Sequence, residues 1–297
     1  MNNSDQPILP QGESWPKISI VTPSFNQAEF IERTICSVLN QNYPNLEYII
    51  MDGGSTDGTL DIIKQYESKL FFWSSEKDGG MYDAIQKGFE KSSGTIMAWI
   101  NSDDLYYPNA FFTVAEIFLQ FPSVSWLQGC PTLWDEKDRT ILVKPSRRWS
   151  KYDYYSYDYK WIQQESIFWR RSLWNQAGSH LNQHMKYAGD FELWLRFFNY
   201  APLYITDALI GGFRTRSSNQ LTHEHMDEYL NEIHSVLARE KLPFREKNKL
   251  QMIRMLKPMI RLFLKFRATA PWIYKNILEC PPKVVYDFKS QTWQLKN

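Results

Sequence analysis

Residues 95–104 read TIMAWINSDD, an apolar run followed by the adjacent carboxylates Asp103 and Asp104. The run is short, rich in strand-forming residues and preceded by Ser93 and Gly94, so it predicts a buried strand. Ligands of open α/β sheets bind at the carboxyl ends of strands. Two carboxylates held together there repel each other, and a divalent metal ion carrying a diphosphate would explain the pair. The alternative is a solvated turn in which one of them caps the helix after Pro108.

The chain around this stretch alternates between strand and helix patterns. Such alternation predicts an α/β fold with a mostly parallel sheet flanked by helices. The predicted strands are 18–22, 46–51, 70–73, 95–100, 124–128 and 208–213, and the predicted helices are 29–39, 59–66, 81–91, 111–121 and 191–200. We expect a tail over residues 1–15, a catalytic domain over 16–225 and a helical, basic C-terminal extension over 226–297.

The composition is that of a globular protein with many aromatic residues. Of 297 residues, 43% are hydrophobic and 23% are charged, which excludes a disordered chain. Aromatic residues make up 16%, with 12 Trp and 17 Tyr. This content suits a protein that stacks rings on sugars, but it suits a thick aromatic core equally well.

Charge is distributed unevenly along the chain. Residues 239–297 hold 14 Lys and Arg against 4 Asp and Glu, or +10, which leaves −9 for the remainder of a chain whose net charge is +1. Residues 252–267 mix apolar and basic side chains and predict an interfacial helix, broken near Pro258, on an anionic membrane. A basic helix packed on the catalytic domain is the alternative, and no nucleic-acid module accompanies the charge.

Cysteine usage and the N-terminal sequence indicate a cytoplasmic protein. The three cysteines are scattered and show neither a disulfide framework nor metal-ligand spacing. Residues 1–15 lack the pattern of a signal peptide, and no apolar run is long enough to span a bilayer. We therefore expect a cytoplasmic location, with the basic extension on the inner face of the membrane.

Two loops that follow predicted strands have the features of a nucleotide pocket. Residues 22–26 read TPSFN, and residues 52–58 read DGGSTDG. A carboxylate at Asp52 can accept a hydrogen bond from a base, and glycine at Gly53 lets the backbone approach the ligand. The alternative is a plain turn in which Ser55 or Thr56 caps the next helix. The sequence contains neither a dinucleotide-binding glycine motif nor a P-loop.

Residues 78–84, DGGMYDA, open the predicted helix that carries Asp83 and Lys87. These two side chains are four positions apart and lie on one helical face. They could contact the ribose, diphosphate or sugar of a donor, or they could form a simple helical ion pair.

The ordered motifs resemble those of family 2 glycosyltransferases with the GT-A fold. The resemblance rests on residues 22–26, 52–58, 76–84 and 101–104, and it extends over roughly residues 17–220. It implies an inverting transferase that moves a sugar from a nucleoside diphosphate sugar to an acceptor hydroxyl. It also implies that Asp190, in YAGDFELW at residues 187–194, is the general base. The competing interpretation of Asp190 is a helix N-cap.

The resemblance implies Mg²⁺ or Mn²⁺ held by Asp104 with the help of Asp103, and an acceptor that is a saccharide or a lipid-linked saccharide. Relatives carry an Arg-x-His element where this chain has Arg214 and Arg216, so direct contact of that loop with the metal is in doubt. The expected donor-binding residues are Thr22, Pro23, Ser24, Phe25, Asp52, Gly53, Ser55, Asp83, Lys87, Asn101, Ser102, Asp103, Arg214 and Arg216, and the expected acceptor-binding residues are Gln164, Trp161 and Tyr155.

Two other functions compete with transfer. A non-catalytic nucleotide-sugar binding protein would not need all of Asp52, Asp104 and Asp190. A sugar nucleotidyltransferase would need a basic, glycine-rich loop after the first strand, which residues 22–29 lack. We therefore expect a glycosyltransferase, and the resemblance together with the basic C-terminal extension implies cell-surface polysaccharide or glycolipid assembly.

Overall fold

Seven strands form the central sheet of the computed structural model, which describes residues 14–156, 162–217, 224–266 and 268–297. Their order across the sheet is β10-β6-β9-β4-β1-β2-β3. The strands are β1 Ile18–Ser24, β2 Leu46–Asp52, β3 Phe72–Ser75, β4 Ile96–Trp99, β6 Trp126–Gln128, β9 Ile167–Arg170 and β10 Tyr204–Ile205. Strands β1 to β4 pair in parallel, β9 is antiparallel to both of its neighbours, and β10 is parallel to β6. The predicted α/β fold with a mostly parallel sheet is confirmed.

The helices between residues 31 and 198 pack on this sheet through apolar faces. Their bounds are α1 Ile31–Leu39, α2 Thr59–Tyr66, α3 Met81–Lys91, α4 Ala110–Gln120, α5 Lys151–Tyr155, α6 Arg171–Gln176 and α7 Gly189–Phe198. Helix α3 lies unusually close to β1, because a Cβ atom at Gly88 would be 2.5 Å from Cγ1 of Val21. This contact fixes the start of α3 beside the carboxyl ends of β1 and β2.

A second sheet, which the sequence did not predict as a unit, lies beside the carboxyl edge of the first. It has the order β5-β11-β7-β8 and consists of Leu105–Tyr106, Gly211–Arg214, Thr132–Trp134 and Thr140–Val143. Short strands with little alternation gave no clear pattern in the sequence. The sheet matters because β5 directly follows the two aspartates and pairs with β11, which ends at Arg214.

The many tryptophans belong to the core. Trp99, Trp126, Trp169 and Trp194 are each at most 1% exposed. The rings of Trp99 and Trp194 are stacked at 5.6 Å, with 10° between their planes. Of the two explanations for the aromatic content, these four side chains fit the aromatic core.

The C-terminal region contains three helices and a hairpin. These are α8 Met226–Arg239, α9 Phe244–Phe263, α10 Ala270–Asn276, β12 Lys283–Asp287 and β13 Thr292–Lys296. The predicted break near Pro258 is wrong, because α9 runs through this residue. The proline removes one backbone N–H, but Ile253 and Ile260 on either side are buried and hold both halves on the same surface. The hairpin also shows that the extension is not wholly helical.

No helix within the described residues combines the length and the apolarity that crossing a bilayer requires.

The amino-terminal edge of the sheet is held by a buried glutamate. Glu47 is 3% exposed and accepts hydrogen bonds from Ser19 Oγ at 2.7 Å, Ser93 Oγ at 2.6 Å and Gly94 N at 3.1 Å. It also pairs with Lys17 Nζ at 3.0 Å. Burial alone would raise the pKa of Glu47, but the hydrogen bonds from Ser93, Ser19 and Lys17 lower it to about 2.

We expect Glu47→Gln to destabilise the protein at neutral pH. A pKa lowered from 4.5 to about 2 corresponds to a contribution of about 3 kcal/mol. This contribution is fully present above pH 4.5, the unfolded pKa, and it is lost as the pH falls towards 2. The measurement is urea unfolding of both proteins at several pH values. A difference between them that stays constant from pH 7 to pH 3 would contradict this account.

Candidate functional site

The parallel strands bring three loops together at the carboxyl edge of the sheet. Ser24 is in register with Asp52, and the N–H of Ile100 bonds to the carbonyl of Val21 at 2.9 Å. The loop after β1 bonds to the loop after β2, since Asn26 N donates to Ser55 Oγ at 2.7 Å. The predicted residues Thr22, Pro23, Ser24, Phe25, Gly53, Ser55, Asn101, Ser102 and Asp103 all lie on these strand ends and loops.

Asp52 organises its own turn. Its Oδ2 accepts from the backbone N–H groups of Gly54 and Ser55 at 3.0 and 2.9 Å and from Ser75 Oγ at 2.7 Å. Its Oδ1 accepts from Ser55 Oγ at 2.5 Å. These four bonds leave little capacity for a further donor. Ser55 therefore does not cap the next helix here, and the carboxylate fixes the shape of the loop.

The segment before α3 closes over this turn. A Cβ atom at Gly53 would stand 2.9 Å from Oδ2 of Asp78, so only glycine fits there without a shift. Asp83 and Lys87 form an ion pair at 2.9 Å. The backbone N–H of Gly79 is the main cause of a lowered pKa at Asp83. The helical ion pair is therefore present, and contact of Asp83 and Lys87 with a donor stays a prediction.

Asp104 is the buried member of the adjacent aspartates. Its side chain has no exposed surface, Oδ1 accepts from the backbone N–H of Arg214 at 2.7 Å, and Oδ2 accepts from Asn101 Nδ2 at 3.2 Å. Burial, followed by the charges of Glu165 and Asp103, raises the pKa of Asp104 well above its ordinary range. The helix after Pro108 starts at Ala110 with Asn109 as its N-cap residue, so neither aspartate caps it.

The side chain of Asp103 faces away from Asp104 and is partly exposed to solvent. Its Oδ2 pairs with Nη2 of Arg216 at 3.0 Å, and 17% of its side chain is exposed. Arg214 is fully buried and donates from Nε to the carbonyl of Asp103. The guanidinium groups of Arg214 and Arg216 both lie 5.2 Å from the ring centroid of Phe30. Arg214 also pairs with Asp138, so each of the two arginines has a carboxylate partner at this part of the edge.

Asp190 lies in the first turn of α7, after a tightly packed glycine. Ala188 is the N-cap residue, so Asp190 is not the cap that one interpretation predicted. A Cβ atom at Gly189 would stand 2.8 Å from ring atoms of Tyr82. The hydroxyl of Tyr82 donates to the carbonyl of Tyr187 at 3.0 Å and accepts from the N–H of Asp190 at 3.4 Å. Helix α3 therefore holds the start of α7.

The other side of this loop is held by Glu232 of α8. Its carboxylate accepts from three consecutive backbone N–H groups, those of Lys186 at 2.8 Å, Tyr187 at 3.0 Å and Ala188 at 2.8 Å. The charge of Glu232 also acts on Asp190. Burial, and to a smaller extent this charge, raise the pKa of Asp190 to about 6 against hydrogen bonds from Phe191 and Tyr82.

Glu165, which no sequence motif indicated, is a further carboxylate of the site. It is 5% exposed, and burial raises its pKa to about 7, with the charges of Asp190 and Asp103 also raising it. The charges of Asp103 and Asp190 act on Glu165, and the charge of Glu165 acts on Asp104, so Glu165 lies within electrostatic range of these three aspartates. Among the described residues, no three His, Cys, Asp or Glu groups are placed to hold a metal ion by themselves.

Several buried polar atoms around this edge have no hydrogen-bond partner among the described residues. They are Ser24 Oγ, Asn101 Oδ1, Gln164 Oε1 and Asp190 Oδ1. Buried polar groups in proteins are nearly always satisfied. Their concentration at one edge of the sheet is typical of a site that a polar ligand completes.

The comparisons with known proteins agree with this geometry. The profile of the family described as Glycosyl transferase family 2 matches residues 19–178. The chain belongs to this glycosyltransferase family. The matched range includes the three loops, both aspartates and Glu165, and it ends before Asp190.

The curated relatives are themselves glycosyltransferases by name. An uncharacterized glycosyltransferase of Rickettsia typhi is 29% identical over 195 residues, which cover 64% of this chain and 61% of that protein. The putative teichuronic acid biosynthesis glycosyltransferase TuaG of Bacillus subtilis is 41% identical over 92 residues, or 30% of this chain and 36% of that protein. This family member thus spans about three-fifths or less of the length of these two relatives.

Two solved structures share the fold. TarS of S. aureus, residues 1–349 in complex with UDP-GlcNAc, has a TM-score of 0.62 at 17% identity and covers 89% of this chain and 77% of its own. The mannosyltransferase PcManGT from Pyrobaculum calidifontis, in complex with GDP-Man and Mn²⁺, has a TM-score of 0.60 at 16% identity. The match covers 84% of this chain and 72% of the PcManGT chain. The predicted GT-A fold is confirmed by these likenesses.

The predicted acceptor residues are only partly at the site of this glycosyltransferase. Gln164 lies at this edge, where its Nε2 donates to the carbonyl of Trp99 at 2.7 Å. Tyr155 does not lie at this edge. It is 5% exposed, and its hydroxyl donates to Glu240 of the C-terminal region at 3.3 Å. The neighbouring Tyr154 is also buried and stacks on Phe191 at 4.6 Å, so both tyrosines are packed in the core. Trp161 lies outside the described residues.

We expect Glu232→Gln to loosen the loop before Asp190. The glutamine amide keeps one acceptor oxygen, so some of the three backbone hydrogen bonds are lost together with the negative charge of Glu232. We expect this to lower the free energy of unfolding by about 1–2 kcal/mol. The measurement is thermal and urea unfolding, with amide hydrogen exchange at residues 186–188.

Glu228→Gln is the matched control, because Glu228 lies one turn earlier on α8 and contacts His225 at the surface. Equal protection of the amides at residues 186–188 in both variants would contradict the role of Glu232.

Proposed function

We propose that this protein transfers a sugar from a nucleoside diphosphate sugar to an acceptor hydroxyl with inversion of the anomeric centre. The observation that carries the proposal is the group of four carboxyl side chains, from Asp103, Asp104, Glu165 and Asp190, at a sheet edge that also holds unsatisfied polar atoms. Family membership supports transfer as the reaction. A single displacement needs an acid–base group and charge stabilisation but no covalent nucleophile.

Asp190 is the proposed general base. Its Oδ1 is buried and has no partner among the described residues, so it is available to an incoming hydroxyl. With its pKa raised to about 6 by burial and Glu232, it is largely ionised at pH 7 and still basic enough to take a proton. Neither Tyr82 nor Glu232 needs to react, since both act by holding the loop.

The first two loops are the proposed contact for the nucleoside. Phe25 is 60% exposed at this edge and offers a ring face to a base. Ser24 Oγ is a buried group without a partner in the described structure. Asp52 supports this pocket by fixing its turn, which is a different role from the direct base contact expected from sequence.

A hard divalent cation fits the oxygen donors of this site. Asp103 is the proposed protein ligand, because both oxygens of Asp104 are already bonded inside the protein and Asp103 is the one with exposed surface. Mg²⁺ and Mn²⁺ are commonly held by one or two carboxylates together with substrate phosphates. Such an ion, when bound, stabilises the charge of a departing diphosphate. Arg216, which pairs with Asp103, is the proposed contact for a phosphate oxygen.

The donor and acceptor classes are proposed from the relatives. TarS is described with UDP-GlcNAc and PcManGT with GDP-Man and Mn²⁺, which supports a nucleotide-sugar donor and Mg²⁺ or Mn²⁺ as the ion. TuaG is described as a putative enzyme of teichuronic acid biosynthesis. We propose a saccharide or lipid-linked saccharide acceptor in cell-surface polysaccharide or glycolipid assembly, with Gln164 on the acceptor side.

The location that fits such an acceptor is the inner face of the cytoplasmic membrane. The excess of basic residues after Arg239 supports attraction to anionic lipids. We also retain residues 16–225 as the proposed catalytic domain and 226–297 as its extension, although Glu232 links the two.

We expect Asp190→Asn to bind the donor and to lose transfer by about 10²- to 10⁴-fold. Transfer by the unchanged protein should rise with pH through about 6, because the base must be ionised and the pKa of Asp190 is raised to about 6. The measurement is release of nucleoside diphosphate from a panel of UDP and GDP sugars, with and without an acceptor, as a function of pH.

Glu192→Gln is the control for Asp190→Asn. It removes a carboxylate two residues away that is paired with Arg196 at 2.8 Å. This variant should retain transfer. Near-normal transfer by Asp190→Asn would remove the base assignment, whereas no release from any sugar in the panel by the unchanged protein would argue against transferase activity itself.

We expect Asp103 and Asp104 to differ sharply when mutated. Asp103→Asn should weaken Mn²⁺-dependent binding of nucleoside diphosphate by about tenfold or more with little change in stability. Asp104→Ala should lower the free energy of unfolding by about 2–4 kcal/mol, since it leaves the buried N–H of Arg214 without its acceptor.

Titration calorimetry with and without Mn²⁺, together with urea unfolding, separates these effects. A stable Asp104→Ala that loses metal-dependent binding, beside an Asp103→Asn that binds normally, would restore Asp104 as the metal ligand.

A further inference from the structure

Helix α9 has apolar side chains on two different faces. One face packs on the catalytic domain through Leu250, Ile253 and Ile260, which are at most 7% exposed. The other face is exposed over its whole length. Its members, here called the outer stripe, are Met252, Met255, Met259, Leu262 and Phe263, and they range from 41 to 74% exposed.

The spacing of the outer stripe makes it one continuous surface. Its residues follow one another at three, four, three and one positions, so at about 100° per residue they fall within an arc of about 100°. The buried set lies on the other side of the helix. Phe266, just past the helix end, is 55% exposed, and Trp272 at the start of α10 is 61% exposed. Both extend the apolar surface beyond α9.

The orientation of α9 is fixed by contacts with the catalytic domain. Glu246 pairs with Lys151 at 3.0 Å and accepts from the hydroxyl of Tyr152 at 2.8 Å. Arg254 donates to the carbonyl of Tyr155. These contacts are spread over more than two turns, so the outer stripe cannot rotate inward without breaking them.

The charge beside the outer stripe has one sign. Residues 247–278 contain no Asp or Glu, and their basic residues are Lys247, Lys249, Arg254, Lys257, Arg261, Lys265, Arg267 and Lys275. Arg254 and Arg261 fall between the buried face and the outer stripe at about 100° per residue, Lys257 lies at the edge of the buried face, and Lys265 follows the helix end. An exposed apolar surface next to such a flank is typical of a helix that lies in an anionic membrane interface.

We propose that the outer stripe, with Phe266 and Trp272, docks on the surface of an anionic lipid bilayer. Apolar side chains would enter the boundary between headgroups and acyl chains, while the basic flank contacts lipid phosphates. Tryptophan favours this boundary because one end of its ring is polar. A second copy of this chain fits less well, since two such surfaces would oppose their positive charges. A nucleic acid would leave the methionine and leucine side chains uncovered.

The docking goes beyond the transfer reaction, because it needs neither donor nor acceptor. It also reconciles the two interpretations of the basic C-terminal region. The helix is packed on the catalytic domain through one face, and the opposite face is available to a membrane. We infer that the bilayer holds α9 while the domain remains on the aqueous side.

The test is sedimentation of the full chain with vesicles of phosphatidylcholine alone or mixed with phosphatidylglycerol. The unchanged protein should bind the mixed vesicles about tenfold or more better than the neutral ones, and added salt should reduce this preference. The double variant Met255→Asp with Leu262→Asp should lose most of the binding. Lys257→Gln with Lys265→Gln should lose the preference for the anionic lipid.

The matched control is Phe71→Asp with Tyr200→Asp, which places two charges at exposed apolar positions elsewhere, 54 and 57% exposed. It should bind vesicles as the unchanged protein does. Release of nucleoside diphosphate in solution, without vesicles, shows that each variant is folded and separates this proposal from the proposed reaction.

Two results would overturn the docking. One is equal vesicle binding by the unchanged protein and the variant with two aspartates in the outer stripe, including no binding by either. The other is light scattering that shows a dimer which the same variant dissociates, because a second copy would then cover the outer stripe.

Discussion

A buried carboxylate that has no access to water must find its partners inside the protein, and Asp104 does so through the backbone N–H of Arg214. This bond joins the turn after β4 to the end of β11, two parts of the chain 110 residues apart. Arg214 also donates to the backbone carbonyl of Asp103, and the side chain of Asp103 pairs with Arg216. The arrangement of the whole acidic edge depends on this link between the two sheets.

The first half of the fold could be predicted well because its signals are local. Strands of four to seven residues alternate with amphipathic helices, and α2 and α3 begin and end where the pattern predicts. Loops that follow parallel strands must meet at one edge, so the convergence of the loops after β1, β2 and β4 followed from the topology. The chemistry of Asp103 and Asp104 could not be assigned from sequence, because adjacent residues point in opposite directions.

The remainder could not be predicted because it depends on contacts between distant residues. Glu165 gives no pattern in the sequence, and only its burial beside Asp104 and Asp190 makes it part of the site. Tyr155 was predicted to bind the acceptor. Instead, the hydroxyls of Tyr152 and Tyr155 contact glutamates of the C-terminal region, which lies much later in the chain. Pro258 predicted a break, yet the buried residues on both sides keep the helix continuous.

The contact of Glu232 with the loop before Asp190 has a consequence for protein engineering. Exchanging C-terminal regions between relatives is an obvious way to redirect such an enzyme to another acceptor or surface. In this chain the exchange point would separate a carboxylate from the three amides that it binds. A hybrid cut between residues 225 and 226 would therefore need an equivalent acidic side chain from its new partner to keep the loop before Asp190 in shape.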